Sequence, residues 1–340
     1  MDPKTPSTNG DYSPQQLMQM GMSYDVPRVL AAGVQLRVFS HIASGKHRLA
    51  DIAQAAEASE RGTRMLLDAL TALRLLTKKD GQYHLTPSSE RYLVRDSPEY
   101  MGAMWEDDTH WQSWGNLVPI IRSGEGARHV EDKEEAETFF PTLIRTLHVL
   151  NREPAQQVAT ILGAGGKRCG FKVVDVACGS GVWGIAFAEA DPQAVVTMQD
   201  FSGVLEHTRD YVQRHGVDQR CNYLPGDLKQ VDFGEHRFDV ALLGNIVHSE
   251  GEKSMRDLFR RLHRALQPNG RIVVIDMIPN DERDGPPYPV LFALVMLLHT
   301  SAGDTYTLAE YRQWLNEAGF ERVETADIGS HSPIILGTKN

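Results

Sequence analysis

The chain has 340 residues, a length that suits two domains better than one. Its hydrophobic content of 41% and charged content of 24% are ordinary for a soluble globular protein, and its formal net charge of −10 argues against a nucleic-acid partner. The three cysteines, Cys169, Cys178 and Cys221, lie far apart without a Cys-x-x-Cys pattern. Neither a disulfide framework nor a metal site is therefore predicted.

Residues 1–13 are rich in Pro, Ser, Asn and Gly and contain no apolar signal core, so we predict a disordered tail there. The longest apolar run, Val290 to Leu298, is too short to cross a bilayer. These features predict no membrane partner and, by default, a cytoplasmic location.

Residues 14–100 predict a mainly α-helical domain. Apolar residues recur at helical spacing from Leu49, and again over Thr63 to Leu76, with a short polar turn between the two helices. The dipeptide Asp80-Gly81 then indicates a hairpin turn. Helix, turn, helix and hairpin in this order are typical of a winged-helix domain.

Winged-helix modules either bind DNA or serve as structural and dimer-forming modules. The candidate recognition helix, Arg61 to Leu76, has only Arg61, Arg64 and Arg74 as cations among many apolar positions. In an acidic chain this favours dimerisation, and we predict a homodimer. The apolar residues that we expect beneath a partner chain are Met18, Met20, Met22, Val29, Leu30 and Leu36.

Residues 101–165 predict further helices, which we interpret as a linker and the wall of a substrate pocket. Aromatic residues alternate with polar ones here, as in interdomain packing or in a pocket that is apolar with a few polar groups. They are Trp105, His110, Trp111, Trp114, Phe139, Phe140, Arg145, His148 and Asn151.

Residues 166–340 alternate between strand and helix patterns, which predicts an α/β domain with a Rossmann-like parallel sheet. The predicted strands are 172–177, 195–199, 238–243, 271–277, 321–328 and 333–338, with a short one before Pro225. The predicted helices are 181–190, 202–215, 252–267, 289–300 and 307–318.

The first strand runs into a tight turn in which Asp175, Gly179 and Gly181 follow the spacing Asp-x-x-x-Gly-x-Gly. Glycine lets the backbone approach a ligand closely, and the turn places free N–H groups at a helix start. Counted from Gly179, the segment also fits the dinucleotide pattern Gly-x-Gly-x-x-Gly, but a lone match is weak evidence. The carboxylate of Asp175 suits a ligand with an ammonium group better than a pyrophosphate.

Two further acids follow the next strands of the predicted sheet. Asp200 ends the second strand, where an acid can hold two ribose hydroxyls, and Asp227 with Leu228 follows the third, where an adenine ring fits. Acids at successive strand ends define one crevice, and the set favours S-adenosylmethionine over a nicotinamide dinucleotide.

These residues resemble the class I methyltransferases, and more closely the small-molecule O-methyltransferases of the caffeate and hydroxyindole type. Beyond the first turn and the two later acids, the resemblance rests on the segments ending at His248 and Asp276, and on the winged-helix region. The remaining matching segments are Tyr306-Thr-Leu-Ala-Glu-Tyr and Ala318-Gly-Phe.

The resemblance implies a homodimer that binds S-adenosylmethionine and releases S-adenosylhomocysteine. It implies His248 as the general base toward a hydroxyl, without a metal, and Asp276 as the acid that orients His248. We weigh Asp304 as a second orienting acid, because Thr305 occupies the position where one is expected. The implied cofactor-binding residues are Asp175, Ala177, Gly179, Gly181, Asp200, Phe201, Gly226, Asp227, Leu228, Gly244 and Asn245.

The chain departs from the family pattern at two places. Ser249-Glu250 follows His248 where the family has Asp-Trp, and Gly244 replaces a larger residue common near the cofactor. The predicted substrate-binding residues are Trp105, Arg145, His148, Met296, His299 and Thr300. Such a set, with an arginine and histidines, suits an acidic or polar acceptor.

O-methylation of a small hydroxylated metabolite is the favoured hypothesis. S- or N-methylation of a small polar acid on the same fold is an alternative, and a sulfur nucleophile needs no base. A winged-helix regulator that senses a ligand, and a relative that binds the cofactor without using its methyl group, are further alternatives.

Overall fold

A computed structural model describes residues 12–126, 129–166 and 168–340, without the side chains of residues 136–142. Residues 1–11 of the predicted tail and the side chains of Phe139 and Phe140 therefore lie outside the described part. The chain divides into two compact units, Met1–His110 and Trp111–Asn340, within the segment predicted as a linker. The domain boundaries at residues 100 and 165 stay predictions.

The first unit is mainly α-helical, as predicted. Its β1 and β2 form an antiparallel hairpin around Asp80 and Gly81, whose φ angles of 52° and 74° are those of a tight hairpin turn. Its elements are α1 (Pro14–Met22), α2 (Asp25–Gln35), α3 (Val38–Ala43), α4 (Leu49–Ala55), α5 (Glu60–Ala72), β1 (Leu76–Lys79), β2 (Gln82–Leu85) and α6 (Pro87–Tyr92).

The apolar residues of the first unit fall into two groups. The core contains Phe39, Ile52, Leu67, Leu70 and Tyr83, all fully buried. Of the residues expected beneath a partner chain, those on α1 are exposed, whereas three others pack against this core instead. The exposed residues are Met18, Met20 and Met22, and those packed on the core are Val29, Leu30 and Leu36.

The second unit alternates strands and helices. Its helices are α7 (Thr109–Gly115), which begins just before the division, α8 (Leu117–Ser123), α9 (Lys133–Ile161), α10 (Val182–Ala190), α11 (Ser202–Arg214), α12 (Glu252–Ala265), α13 (Pro287–His299) and α14 (Leu308–Glu317). Its strands are β3 (Lys172–Val176), β4 (Val195–Asp200), β5 (Cys221–Pro225), β6 (Phe238–Gly244), β7 (Leu266–Ile275), β8 (Phe320–Ala326) and β9 (Ile334–Lys339).

The seven strands form one sheet in the order β5-β4-β3-β6-β7-β9-β8. The pairs from β5 to β7 are parallel, which confirms the predicted α/β class, but β9 pairs antiparallel with both β7 and β8. β9 is the antiparallel exception in the predicted parallel sheet. Only a short connection joins β8 to β9, and a parallel pairing would need a long crossover.

Apolar side chains cover both faces of the sheet. One buried cluster includes Val173, Phe187 and Leu242, and the other includes Val174, Leu243 and Phe259. Neighbouring residues of β3 and β6 point to opposite faces, so an uninterrupted apolar run buries both sides. The parallel strands end at one edge, and this edge positions the candidate site. Among the described residues, no helix is long and apolar enough to cross a membrane.

Candidate active site

The glycine turn between β3 and α10 has the backbone conformation that its sequence predicts. Ala177, Gly179 and Gly181 have positive φ angles of 51°, 54° and 73°. A Cβ on Gly181 would lie 3.1 Å from Thr208 Cγ2, so glycine is also favoured there by space. The Gly181 N–H donates to the Cys178 carbonyl at 2.7 Å, which closes the turn.

Asp200 connects the end of β4 to this turn. Its two oxygens accept the N–H groups of Gly179 at 2.9 Å and Phe201 at 2.8 Å. Each carboxylate oxygen has a second lone pair, so Asp200 can still accept two hydroxyl groups. Burial raises the pKa of Asp200 to about 6, against the two backbone hydrogen bonds, so the carboxyl group is ionised at neutral pH.

Asp175 lies beneath the turn rather than at the surface of the crevice. The residue is completely buried, and its Oδ2 accepts the Gly184 N–H at 2.9 Å. Its Oδ1 has no hydrogen-bond partner among the residues that the structure describes. Burial, and then the charge of Asp200, raise the pKa of Asp175 to about 8. Contact between Asp175 and a ligand stays a prediction, and the open Oδ1 is the atom available for it.

A cavity of about 340 Å³ lies at the ends of β4 and β5. Its lining includes the predicted residues Phe201, Gly226 and Asp227, together with Lys229, which sequence reasoning missed. Lys229 is only two residues after Asp227 in the sequence, and this short separation could have predicted its place beside the adenine site. The full lining is Glu131, Asp132, Lys133, Phe201, Ser202, Gly226, Asp227, Lys229 and Gln230.

His248 and Asp276 form a buried pair at the ends of β6 and β7. His248 Nδ1 is hydrogen-bonded to Asp276 Oδ1, and the His248 backbone N–H donates to Oδ2 at 3.0 Å. A carboxylate can only accept, so Nδ1 carries the proton and Nε2 has a free lone pair. His248 Nε2 makes no hydrogen bond within the described ranges. The predicted pairing of these two residues places a basic nitrogen at the sheet edge.

Two aromatic residues, for which the sequence predicted no role, contact the His248–Asp276 pair. The Tyr311 hydroxyl donates to Asp276 Oδ2 at 3.0 Å, and the ring of Phe292 lies edge-on to His248 with centroids 4.9 Å apart. A capping box between Thr307 and Glu310 fixes the start of α14 and hence the place of Tyr311. Tyr311 belongs to the segment that matched the family, but Phe292 has no sequence signal beyond its helix.

The structure places the carboxylate of Asp304 away from the His248 ring. Its Oδ1 accepts the Thr305 N–H at 2.7 Å, its Oδ2 lies 3.5 Å from Arg283, and the side chain is 46% exposed. Only its backbone N–H reaches His248, at the carbonyl oxygen and 2.9 Å. Tyr311, rather than Asp304, makes the second side-chain contact to the His248–Asp276 pair.

Glu250, one of the departures from the family pattern, lies buried beneath the same edge. Its carboxylate lies 3.5 Å from Lys229 Nζ, and its carbonyl accepts the Tyr306 hydroxyl at 2.7 Å. Burial raises the pKa of Glu250. The Ser249-Glu250 change therefore connects the segment after His248 to the loop that lines the cavity.

The predicted substrate residues are not brought together as one group. Met296, His299 and Thr300 are buried at the end of α13, where the Thr300 hydroxyl donates to the Met296 carbonyl at 2.7 Å. Arg145 is half-buried on α9, and Trp105 packs against the core of the first unit. Their contact with a substrate stays a prediction.

His148 lies among helices α9, α10 and α11. Its Nδ1 lies 3.1 Å from Ser180 Oγ in the glycine turn, and its Nε2 lies 3.3 Å from His215 Nε2. His215 Nδ1 in turn lies 2.7 Å from a Glu189 oxygen. With neutral His148, the Ser180 hydroxyl donates to Nδ1 and Nε2–H donates to His215. These hydrogen bonds connect the glycine turn to α9 and to the end of α11, so the contacts of His148 are those of a residue that stabilises the turn.

Acid is expected to destabilise the native protein through His148. Burial, followed by the charges of His215, Arg152 and Arg214, lowers the pKa of His148 from 6.5 to about 4. Between pH 6.5 and pH 4 the unfolded chain binds more protons at His148 than the folded protein does. The free energy of unfolding therefore has its full value above pH 6.5 and decreases as the pH falls from 6.5 to about 4. The total loss is about 3 kcal/mol.

Urea unfolding of the wild type and His148→Asn at pH 7 and pH 4.5 measures this loss. We expect the wild type to lose 2 to 3 kcal/mol more than the variant (~1.36 kcal/mol per pH unit). Asp175 and Asp200 have raised pKa values and act in the opposite direction, but their effect cancels in the difference. Equal losses in the two proteins would contradict the prediction.

Three predicted cofactor residues remain. Leu228 is buried in the cluster that contains Val174 and Phe259, Gly244 is the last residue of β6, and Asn245 follows it. Asn245 has a positive φ of 58°, and its N–H donates to the Ile275 carbonyl at 2.8 Å. Gly244 lies directly against the indole ring of Trp183. Within the described part of the chain, no group of three or more His, Cys, Asp or Glu side chains could hold a metal ion.

Two family models and several characterised relatives match this chain. The O-methyltransferase domain model matches residues 157–321, and the O-methyltransferase dimerisation domain model matches residues 18–95. The tetracenomycin polyketide synthesis 8-O-methyltransferase TcmO of Streptomyces glaucescens is 27% identical over 337 residues, covering 96% of this chain and 97% of the relative. Acetylserotonin O-methyltransferase of Mus musculus molossinus is 28% identical over 326 residues, covering 90% and 84%.

Solved structures show the same fold. Human N-acetylserotonin methyltransferase, in complex with S-adenosylmethionine, superposes with a TM-score of 0.82 at 23% identity. The superposition covers 98% of this chain and 99% of the human chain. The fold is therefore shared over almost the whole length of both chains.

Proposed function

Because the chain belongs to the family of small-molecule, S-adenosylmethionine-dependent O-methyltransferases, we propose that it methylates a hydroxyl group of a small hydroxylated metabolite with His248 as the general base. The observation that carries this proposal is the His248–Asp276 pair, which leaves Nε2 as a free acceptor at the sheet edge. The names of the relatives place the methyl group on oxygen of a polyketide and of acetylserotonin. They favour oxygen over sulfur or nitrogen as the accepting atom.

The cofactor is S-adenosylmethionine, and the described residues fit it. The two spare lone pairs of Asp200 match the two ribose hydroxyls, and the cavity lined by Phe201, Gly226 and Asp227 has a volume in the usual range for a ligand site. In the free protein the pKa of Asp175 is about 8, and the positive charge of an ammonium group beside the partnerless Oδ1 lowers that pKa, so the ionised carboxylate can accept from the ammonium group. In this assignment the nucleoside lies along the ends of β5 and β4, and the methionyl portion lies at β3 and β6.

The chemistry divides between the cofactor and two side chains. When bound, the cofactor supplies a methyl group activated on a sulfonium. His248 Nε2 takes the proton from the acceptor hydroxyl as the oxygen attacks, and Asp276 stabilises the imidazolium through Nδ1–H. The burial of this pair excludes water from Nδ1, so the orientation of the ring is set before the acceptor arrives.

The first unit supports self-association. The matched model is a dimerisation domain, and the exposed apolar side chains of α1, including Leu17 and Met18 at 55% and 67%, need a cover. We propose that a second copy of the chain supplies this cover. A dimerisation domain at this position also favours the enzyme over the DNA-binding regulator among the earlier alternatives.

A methyl-transfer screen tests the proposed function. The purified chain is incubated with S-adenosylmethionine and phenols, hydroxy acids, amines or thioethers, and S-adenosylhomocysteine is measured. We expect product with a hydroxylated acceptor, and calorimetric binding of S-adenosylhomocysteine by the free protein. For Asp200→Asn we expect binding about 10- to 100-fold weaker, because one oxygen becomes a donor. A folded protein that neither binds nor forms S-adenosylhomocysteine would overturn the proposal.

A further inference from the structure

Trp183, in the first turn of α10, has an unusual neighbour at the end of β6. A Cβ added to Gly244 would lie 2.1 Å from Trp183 Nε1, 2.4 Å from Cδ1 and 2.7 Å from Cε2. Such distances do not occur between real atoms, so the pyrrole edge of the indole fits only because residue 244 has no side chain. Gly244 and Trp183 are thus a matched pair.

The indole N–H of Trp183 has no acceptor in the described part of the protein. The side chain belongs to the buried cluster on the α10 face of the sheet and the residue is 4% exposed. It makes no hydrogen bond to any residue that the structure describes. Trp183 Nε1 is not among the completely buried polar atoms that lack a partner, so this N–H reaches the surface although most of the indole is buried. A donor that reaches the surface at the end of β6 and is not used by the described protein is available to a ligand.

The position of the Trp183 Nε1–H along the sheet edge indicates which portion of the cofactor lies near it. Val176 pairs with Leu243, so Gly244 lies level with Ala177 at the start of the glycine turn. The strand order β5-β4-β3-β6 puts this point beyond the ends of β5 and β4, where the adenine and ribose are proposed to lie. With the nucleoside placed there, the methionyl portion of the cofactor lies at the ends of β3 and β6.

We propose that the Trp183 Nε1–H donates a hydrogen bond to the α-carboxylate of the methionyl portion of the cofactor, and that Gly244 is required to place the indole there. The methionyl portion offers an ammonium group, which can only donate, and a carboxylate, which accepts strongly. A donor therefore selects the carboxylate. This inference rests on the proposed function and makes Trp183 a residue that determines cofactor specificity.

Calorimetry with two ligands tests the assignment. One ligand is S-adenosylhomocysteine, and the other is S-adenosyl-3-thiopropylamine, which lacks only the carboxylate. We expect Trp183→Phe to weaken binding of S-adenosylhomocysteine about 10- to 100-fold and to leave binding of the decarboxylated ligand unchanged. An equal loss for both ligands, or no loss for either, would overturn the assignment.

A matched control is Trp314→Phe. Trp314 is 3% exposed and lies in the cluster on the opposite face of the sheet, so its loss should not change the ratio of the two affinities. If wild-type protein fails to bind S-adenosylhomocysteine at all, the proposed function fails first. If wild type binds both ligands equally well, only the role of the Trp183 donor fails.

A measurement on the wild type keeps the test decisive if Trp183→Phe does not fold. The chain has 5 tryptophans, so ¹⁵N-tryptophan labelling gives few indole N–H signals to follow by NMR. We expect one signal to move downfield with S-adenosylhomocysteine and not with the decarboxylated ligand. Identical spectra with both ligands would contradict the proposal. Gly244→Ala should abolish the difference between the two ligands, because the new Cβ displaces the indole.

Discussion

Replacing His248 with alanine is expected to lower the rate of methyl transfer by about 10²- to 10⁴-fold while S-adenosylhomocysteine still binds. The imidazole Nε2 is the free acceptor of the His248–Asp276 pair, and without it the acceptor hydroxyl must lose its proton to water. His248 is 7% exposed and contacts Phe292 rather than the proposed nucleoside cavity, so cofactor affinity should change little.

Single-turnover rates with a hydroxylated acceptor, together with calorimetry of S-adenosylhomocysteine, measure the two parts of this prediction. His207→Ala is a suitable control, because His207 is an exposed histidine on α11. The control should retain the wild-type rate. A His248→Ala enzyme with the full rate would remove the proposed base, whereas loss of cofactor binding would show that His248 acts in binding rather than in catalysis.

Replacing Asp276 with asparagine is expected to lower the rate by about 10²- to 10⁴-fold, although Asp276 does not touch the substrate. Asp276 accepts hydrogen bonds from His248 Nδ1, Tyr311, and the N–H groups of His248 and Met277. An amide has one accepting oxygen and one donating nitrogen. It therefore either loses some of these bonds or forces His248 to place its proton on Nε2, which destroys the base.

Tyr311→Phe provides the graded comparison for Asp276→Asn. It removes one of the four hydrogen bonds and leaves the carboxylate, so we expect a loss of about tenfold or less. The rate of both variants is measured against pH, because a positioning role moves the acid limb of the profile whereas simple destabilisation does not. Equal rates for Asp276→Asn and wild type, with both proteins folded by circular dichroism, would show that the pair does not orient the base.

The sequence predicts the parts of this site that depend on local spacing. Asp175, Gly179 and Gly181 lie within one strand and turn, Asp200 is the last residue of β4, and Asp227 lies two residues after the end of β5. Because the carboxyl ends of parallel strands meet at one edge, the assignment of the strands is sufficient to predict that these residues lie near the same edge. It does not indicate that Asp175 is completely buried beneath the turn. The alternation of strands and helices predicted the fold class in the same way.

The side chains that the sequence did not place depend on contacts between distant elements. Asp304 is close to His248 along the backbone, but a nearby arginine, Arg283, takes its carboxylate. The contact between His148 on α9 and His215 after α11 also joins distant parts of the chain, and nothing in the sequence around either residue indicates it. The contact between Trp183 and Gly244 joins residues 61 positions apart, and no periodicity within either element indicates it.

The insertion of β9 between β7 and β8 sets an order on the assembly of the protein during synthesis. β8 has no neighbour in the sheet other than β9, and β9 comes later in the chain. Until residues 334–339 have left the ribosome, β8 has no strand to pair with, and α14, which holds Tyr311, has no finished sheet to pack on. Nascent chains should therefore acquire the complete His248–Asp276–Tyr311 arrangement only after β9 emerges, even though every residue proposed to bind the nucleoside is made much earlier.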